Sequence, residues 1–196
     1  MEVGVLYSGG KDSTLAALLL EPVADVTLLC GTFGVTDDYE HAHAAADAVG
    51  FDSQTLELDE AVAAEAVEQM VTDGYPRNGI QQVHEHALER AAAGALDAVA
   101  DGTRRDDRVP TVERPLAQSI EDRYDVAHLA PLAGIGRSAI DALADDHLVV
   151  ETGASETIEK GDYESELRAL LAAEYGPDRV ESVFPSHTQS RVTGRR

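Results

Sequence analysis

LYSGGKDST, residues 6–14, decides how this chain is read. Val3 to Tyr7, which leads into it, is a short apolar run of the kind that forms a buried parallel strand. The stretch that follows, DSTLAALLL, opens with two residue types that cap helices, Asp12 and Ser13, and continues in leucine and alanine until Pro22 ends it. A strand, a glycine turn and a helix N-terminus in direct succession suit an anion. Gly9 and Gly10 let backbone amides approach it with no side chain in the way. The helix adds unpaired amides and about half a positive charge. Ser8 and Ser13 add hydroxyls, and Lys11 supplies one of only two lysines in the 196 residues.

The same alternation continues outward. DVTLLCGTF (25–33) is strand-like, and Asp37 or Asp38 is placed to cap an alanine-rich helix closed by Gly50. SQTLEL (53–58) alternates as a strand, and Asp59 caps a helix closed by Gly74. A loop, YPRNG, leads to a helix over 80–93. LDAVA (96–100) and DVAHLAPL (125–132) predict strands four and five, and a helix is predicted over about 136–145. The expected fold is therefore α/β: a doubly wound, mostly parallel five-stranded sheet with helices on both faces. Ligands of such sheets sit at the carboxyl ends of the strands. Beyond Leu148 the pattern weakens to a strand, a loop, a helix over 163–174 and a polar tail. Residues 1–150 thus form the expected ligand-binding unit, and 151–196 a C-terminal extension of the same domain.

Composition narrows the partners. Asp and Glu number 37 against 15 Lys and Arg, for a formal net charge of −22 and a pI near 4.4. Such a surface repels nucleic acid and anionic lipid at low salt, while in molar salt the Debye length falls to about 3 Å. The acid-rich, lysine-poor balance resembles the cytosolic proteins of a halophilic archaeon. A lone cysteine, Cys30, excludes an internal disulfide and a cysteine-cluster zinc site. With no charged-then-apolar leader and no long apolar run, the expected location is the cytoplasm, away from membranes.

Ser8-Gly9-Gly10-Lys11-Asp12-Ser13 is neither the mononucleotide P-loop nor the dinucleotide fingerprint. Placed after a first strand, it resembles the PP-loop of the ATP pyrophosphatases, the adenine nucleotide alpha-hydrolase-like superfamily. The resemblance implies that these six residues hold the β- and γ-phosphates of ATP, leaving the α-phosphorus open to attack while pyrophosphate departs. It also implies that Gly31, Thr32 and Phe33, after strand two, touch the adenine and ribose. The loop after strand four, ADGTRRDDRVP (100–110), is implied to carry further contacts through Gly102 and Thr103.

That loop is independently notable. Arg104, Arg105 and Arg108 crowd together in a cation-poor chain, interleaved with Asp106 and Asp107. Arginine forks match phosphate oxygens, and carboxylates such as Asp12, Asp106 and Asp107 are candidate Mg²⁺ ligands. Lys11, Asp12, Arg104 and Arg105 are the candidate catalytic residues. Arg137, at the head of a helix, and His187, in the tail, are further candidates. Lys160 reads equally as an exposed loop lysine. The pairs His41/His43 and His84/His86 read as surface histidines, since a spacing of two points them to different helix faces.

In length and motif order the chain is most similar to a small archaeal PP-loop group described as a predicted tRNA thiouridine-enzyme subunit. That similarity implies adenylation of an acceptor such as a tRNA base, with a partner protein supplying sulfur or ammonia, and a homodimer as the default assembly. Cys30 alone cannot form a two-cysteine persulfide relay. An amide-forming ligase of the diphthamide-synthetase type, whose later glycine-glutamate loop is not found here, remains an alternative. So does a non-catalytic nucleotide-binding module or subunit.

Overall fold

A computed structural model describes residues 1–196. Five parallel strands, β1 (Glu2–Leu6), β2 (Asp25–Thr32), β3 (Ser53–Glu57), β4 (Ala98–Ala100) and β5 (Ala127–Leu129), form one sheet in the order β3-β2-β1-β4-β5. The expected doubly wound α/β sheet is present. Chain direction across the sheet reverses between β1 and β4, which places the crevice for a ligand at their carboxyl ends.

Alternation along β1 divides two cores. Val3, Val5 and Tyr7 point to a 21-residue core with α1 (Lys11–Leu20), α2 (Tyr39–Val49) and α6 (Arg137–His147). Leu6 points to a 20-residue core on the opposite face. That second core is built by α3 (Glu60–Asp73), α4 (Arg77–Ala92), α5 (Arg114–Tyr124), α7 (Tyr163–Tyr175) and α8 (Pro177–Val183). Cores of nearly equal size explain why the central strands are apolar on both sides.

Local signals operate much as read from the sequence. Asp59 caps α3 by accepting from the Ala61 amide at 2.9 Å. Asp38 stands at the N-cap of α2, but its carboxylate accepts from the Thr36 hydroxyl at 2.9 Å instead of from the helix.

Three segments differ from expectation. Residues 77–79 of the anticipated YPRNG loop are the first turn of α4. Helix α5 lies where no element was predicted, because only Ala117 and Ile120 of its eleven residues are buried and its apolar stripe is thin. The polar tail contains strand β7 (Thr188–Arg195), which pairs antiparallel with β6 (Leu148–Ala154) in a separate ribbon. Only Val192 of β7 is buried, so the segment lacks the alternation that marks a strand in sequence. The ribbon packs on α1 and α2, with Val192 in their core. No helix is long and apolar enough to cross a membrane.

Candidate functional site

The loop between β1 and α1 reaches the crevice from below. Gly9 has φ +79°, a left-handed conformation that favours glycine, and its position faces the Cβ of Ala45 in α2. The turn is fixed by residues distant in sequence. The Ser8 carbonyl accepts from the Gly161 amide at 3.2 Å, and the Gly9 carbonyl from the Val192 amide at 2.9 Å.

At the head of α1 four amides need partners. Gly10 donates to the Ser8 hydroxyl at 3.4 Å, and Lys11 donates to the Ser190 hydroxyl at 3.3 Å. The amides of Asp12 and Ser13 have no partner. From the other side, β4 hands over to Gly102 so closely that a Cβ there would lie 2.7 Å from the Ser13 nitrogen. Two open amides, a helix N-terminus and backbone on both sides make an anion cradle.

A cavity of about 510 Å³ opens over this cradle. Of the residues anticipated from sequence, Ser8, Asp12, Ser13, Gly102, Thr103 and Asp107 line it. Gly9, Gly10, Lys11, Arg104, Arg105 and Asp106 lie beside it in the same loops without forming its wall. The Lys11 ammonium is 2.8 Å from Asp12 and 3.5 Å from Asp141, so its charge is shared with two carboxylates. Arg104 grips Asp107 and also lies 3.5 Å from Asp12. The Arg105 amide donates to the Ile135 carbonyl, which ties this loop to the approach to α6.

The anticipated Asp106–Asp107 metal pair does not form. Asp106 turns away to accept the Arg137 amide at the head of α6 at 3.0 Å, while Asp107 is held by Arg104. Arg137 itself leaves its side chain 70% exposed, 3.9 Å from Asp141. No three His, Cys, Asp or Glu side chains converge in a way that could hold a metal ion.

Gly31, Thr32 and Phe33 are not brought to the cavity. Helix α7 covers them: a Cβ on Gly31 would lie 2.9 Å from the Tyr163 ring, and Phe33 packs edge-on against the same ring. The buried Glu166 carboxylate accepts from the Thr32 hydroxyl and from the amides of Phe33, Val35 and Thr36 at 2.9–3.4 Å. The amides that an incoming anion could use are therefore already engaged by a carboxylate of this chain. Cys30 is fully buried in β2, and burial pushes its thiol up to about 12, so it is neither exposed nor a thiolate.

Several cavity residues were not anticipated. The far wall comes from Tyr75 just before α4, from Ile80 and His84 in α4, and from the C-terminal segment, through Asp162, Tyr163 and Glu164. His187, a candidate from the tail, also lines the cavity and lies 3.3 Å from Glu164. Lys160, read equally as an exposed loop lysine, is buried, with Asp162 at 3.1 Å and Glu164 at 3.6 Å. His84, read as a surface histidine, is buried too. It follows Ile80 and precedes Leu88 at four-residue spacing, a helical stripe visible in the sequence. Behind it Asp101, fully buried at the end of β4, accepts from the Thr103 amide at 2.7 Å and pairs with His128 Nε2 at 3.0 Å. Burial pushes the Asp101 carboxyl up, but the His128, His84 and Thr103 interactions outweigh it and leave it below the usual aspartate value.

Sheet order, an amide-lined glycine turn at the reversal point and a cavity above it define an α/β protein with a candidate anion site. The chain belongs to a family described as of unknown function, DUF7411, whose model matches residues 1–194. It is 38% identical over 195 residues to the uncharacterized protein MJ0690 of Methanocaldococcus jannaschii, covering 99% of this chain and 96% of that one. A crystal structure from the same organism, described as a predicted subunit of tRNA methyltransferase, superposes with a TM-score of 0.90 at 36% identity. The match covers 100% of this chain and 98% of that one. The U34-tRNA thiolase NcsA of Methanococcus maripaludis matches with a TM-score of 0.45 at 21% identity, over 74% of this chain and 56% of that one.

Proposed function

We propose that the chain binds Mg-ATP with the β- and γ-phosphates on Ser8–Ser13 and adenylates an acceptor, releasing pyrophosphate. The observation that carries this reading is the pair of unpartnered amides, Asp12 and Ser13, opening into the cavity beside Gly102. A cavity of about 510 Å³ falls in the range of nucleotide and small-molecule sites. Lys11 and Arg104 are close enough to trade their present carboxylate partners for phosphate oxygens. The chain's own carboxylates do not build a metal cage, so Mg²⁺ enters as part of the substrate, with Asp12 the carboxylate nearest the phosphates. Thr103 and the neighbouring arginines would hold the remainder of the nucleotide, and the wall of α4 and residues 162–164 would face the acceptor.

A tRNA base is the acceptor we favour, because the similar archaeal structure is described as a predicted subunit of tRNA methyltransferase. A net charge of −22 opposes RNA binding by this chain alone, so a basic partner is expected to present the RNA. The partner, if sulfur or ammonia is the attacking group, also delivers it, since the thiol of Cys30 is buried away from the cavity.

The test is pyrophosphate release from Mg-ATP, with and without bulk archaeal tRNA, at low and at molar KCl. Lys11→Ala is run in parallel and is expected to fold and to lose release. Full release in Lys11→Ala would overturn the role given to the loop. Release without tRNA stimulation would keep the adenylating reading and leave the acceptor to be a small molecule or a tRNA presented by the basic partner.

A further inference from the structure

His84 has no place in the phosphate-binding loop, yet it is the side chain in this cavity whose hydrogen-bonding needs are least met. It is 6% exposed, lines the cavity, and its Nε2 is sealed from solvent with no hydrogen-bond partner. Neutral imidazole carries one donor and one acceptor, and leaving either unmet inside a protein costs about 1–3 kcal/mol. A buried polar group left unpaired in a native protein calls for an explanation, and a catalytic role is one.

The surroundings define what such a ring can do. The element behind it, β4, presents the buried carboxylate Asp101; β5 presents His128, already bonded to Asp101; and α7 presents the Tyr163 ring, 6.3 Å away and edge-on. On its own helix the charged neighbour is Glu85. Burial holds the imidazole below its ordinary value, and Asp101 only partly offsets this, so the ring is neutral at pH 7. It is a neutral base, with an anion nearby that favours the proton once it arrives. Across the cavity lie Ser8, Asp12 and Ser13, the residues assigned to the phosphates.

Resting on the adenylation reading, we propose that His84 is the general base that deprotonates the acceptor. A hydroxyl or ring N–H of the acceptor forms its bond to the α-phosphorus as the bond to the pyrophosphate oxygen breaks. The proton released passes to a ring nitrogen of His84, the imidazolium is stabilised by Asp101, and pyrophosphate carries away the electron pair. The acceptor class follows. A carboxylate has no proton to lose at this step, and Asp12, Asp107, Asp162 and Glu164 in the wall would repel it. The cavity is suited to an uncharged nucleophile bearing an exchangeable proton.

Two measurements separate this proposal from the reading beneath it. Binding of α,β-methylene-ATP with Mg²⁺ is measured by calorimetry on wild type and His84→Gln, and pyrophosphate release is followed against pH with water and with bulk archaeal tRNA as acceptors. The expected result is analogue binding within twofold in the variant and release lowered by about 100-fold or more. In wild type, release should rise through a single ionisation below 6.5 and then level, and this limb should vanish in the variant. Release in His84→Gln within twofold of wild type overturns the proposal and leaves the nucleotide reading standing. Wild-type protein that fails to bind the analogue overturns both. Should His84→Gln fold poorly, the wild-type profile decides: release independent of pH through that range removes His84 as the base.

Discussion

The hydroxyl of Ser190 lies 3.3 Å from the amide nitrogen of Lys11, across 179 residues of sequence. It acts as a helix cap supplied by the opposite end of the chain, filling one of the four leading amides of α1 and leaving the next two free. Ser190→Ala should cost about 1 kcal/mol, measured as a lower urea midpoint with an unchanged slope. A change below about 0.3 kcal/mol would show that solvent replaces the hydroxyl without loss.

Glu166 holds the loop after β2 by accepting three backbone amides and one hydroxyl. Glu166→Ala would leave those donors buried and unpaired, and a loss of about 3 kcal/mol or more is expected. Equilibrium denaturation reads it directly. If the amides of residues 33–36 are instead an anion site blocked by Glu166, the variant should bind α,β-methylene-ATP more tightly than wild type.

Gly102 tests the close approach of β4 to α1. Alanine there places a methyl group 2.7 Å from the Ser13 nitrogen and 2.9 Å from its Cα, both backbone atoms that cannot rotate away. Gly102→Ala should destabilise by about 1–3 kcal/mol and abolish analogue binding, because the displaced strand end or helix closes the cradle. Retained binding at wild-type affinity would place the nucleotide elsewhere.

Buried His84 also sets a pH dependence of stability. Its folded value lies below 6.5, so as pH falls through 6.5 the unfolded chain takes up a proton that the folded chain refuses. The stabilising effect is present above that value and is lost on acidification, by up to about 1.4 kcal/mol for each unit the folded value is depressed. His86, also depressed by burial, adds to the same window. The urea midpoint should therefore fall between about pH 7 and 5, and less so in His84→Gln. Asp101 acts in a separate, more acidic window, since its depressed carboxyl stabilises above 3.8 and is lost below it. An unchanged slope in His84→Gln would mean that the ring is already hydrated or charged in the folded protein.

How far the site was legible follows from where its residues sit. Val3–Tyr7 and the Ser8–Ser13 turn carry strand, loop and helix signals within a dozen residues, and the fold follows from repeating that unit. The residues that wall the cavity are legible only where local periodicity speaks. Ile80, His84 and Leu88 share a helix stripe, so the burial of His84 could have been read from spacing. Lys160 gives no such hint: its burial depends on Asp162, Glu164 and the packing of Gly161 against α2, where a Cβ would lie 2.6 Å from Ala42. Gly31 to Phe33 misled for a related reason. Their strand-end position suits a nucleotide, but helix α7, more than 130 residues later, lies over them.

The clasp of Val192 and Ser190 on Gly9 and Lys11 also sets an order on folding. Residues 8–13 carry the glycine turn and β7 completes it, so the turn is finished only when segments 179 residues apart have met. A chain cut before β7 keeps the five strands of the parallel sheet but leaves the turn unclasped.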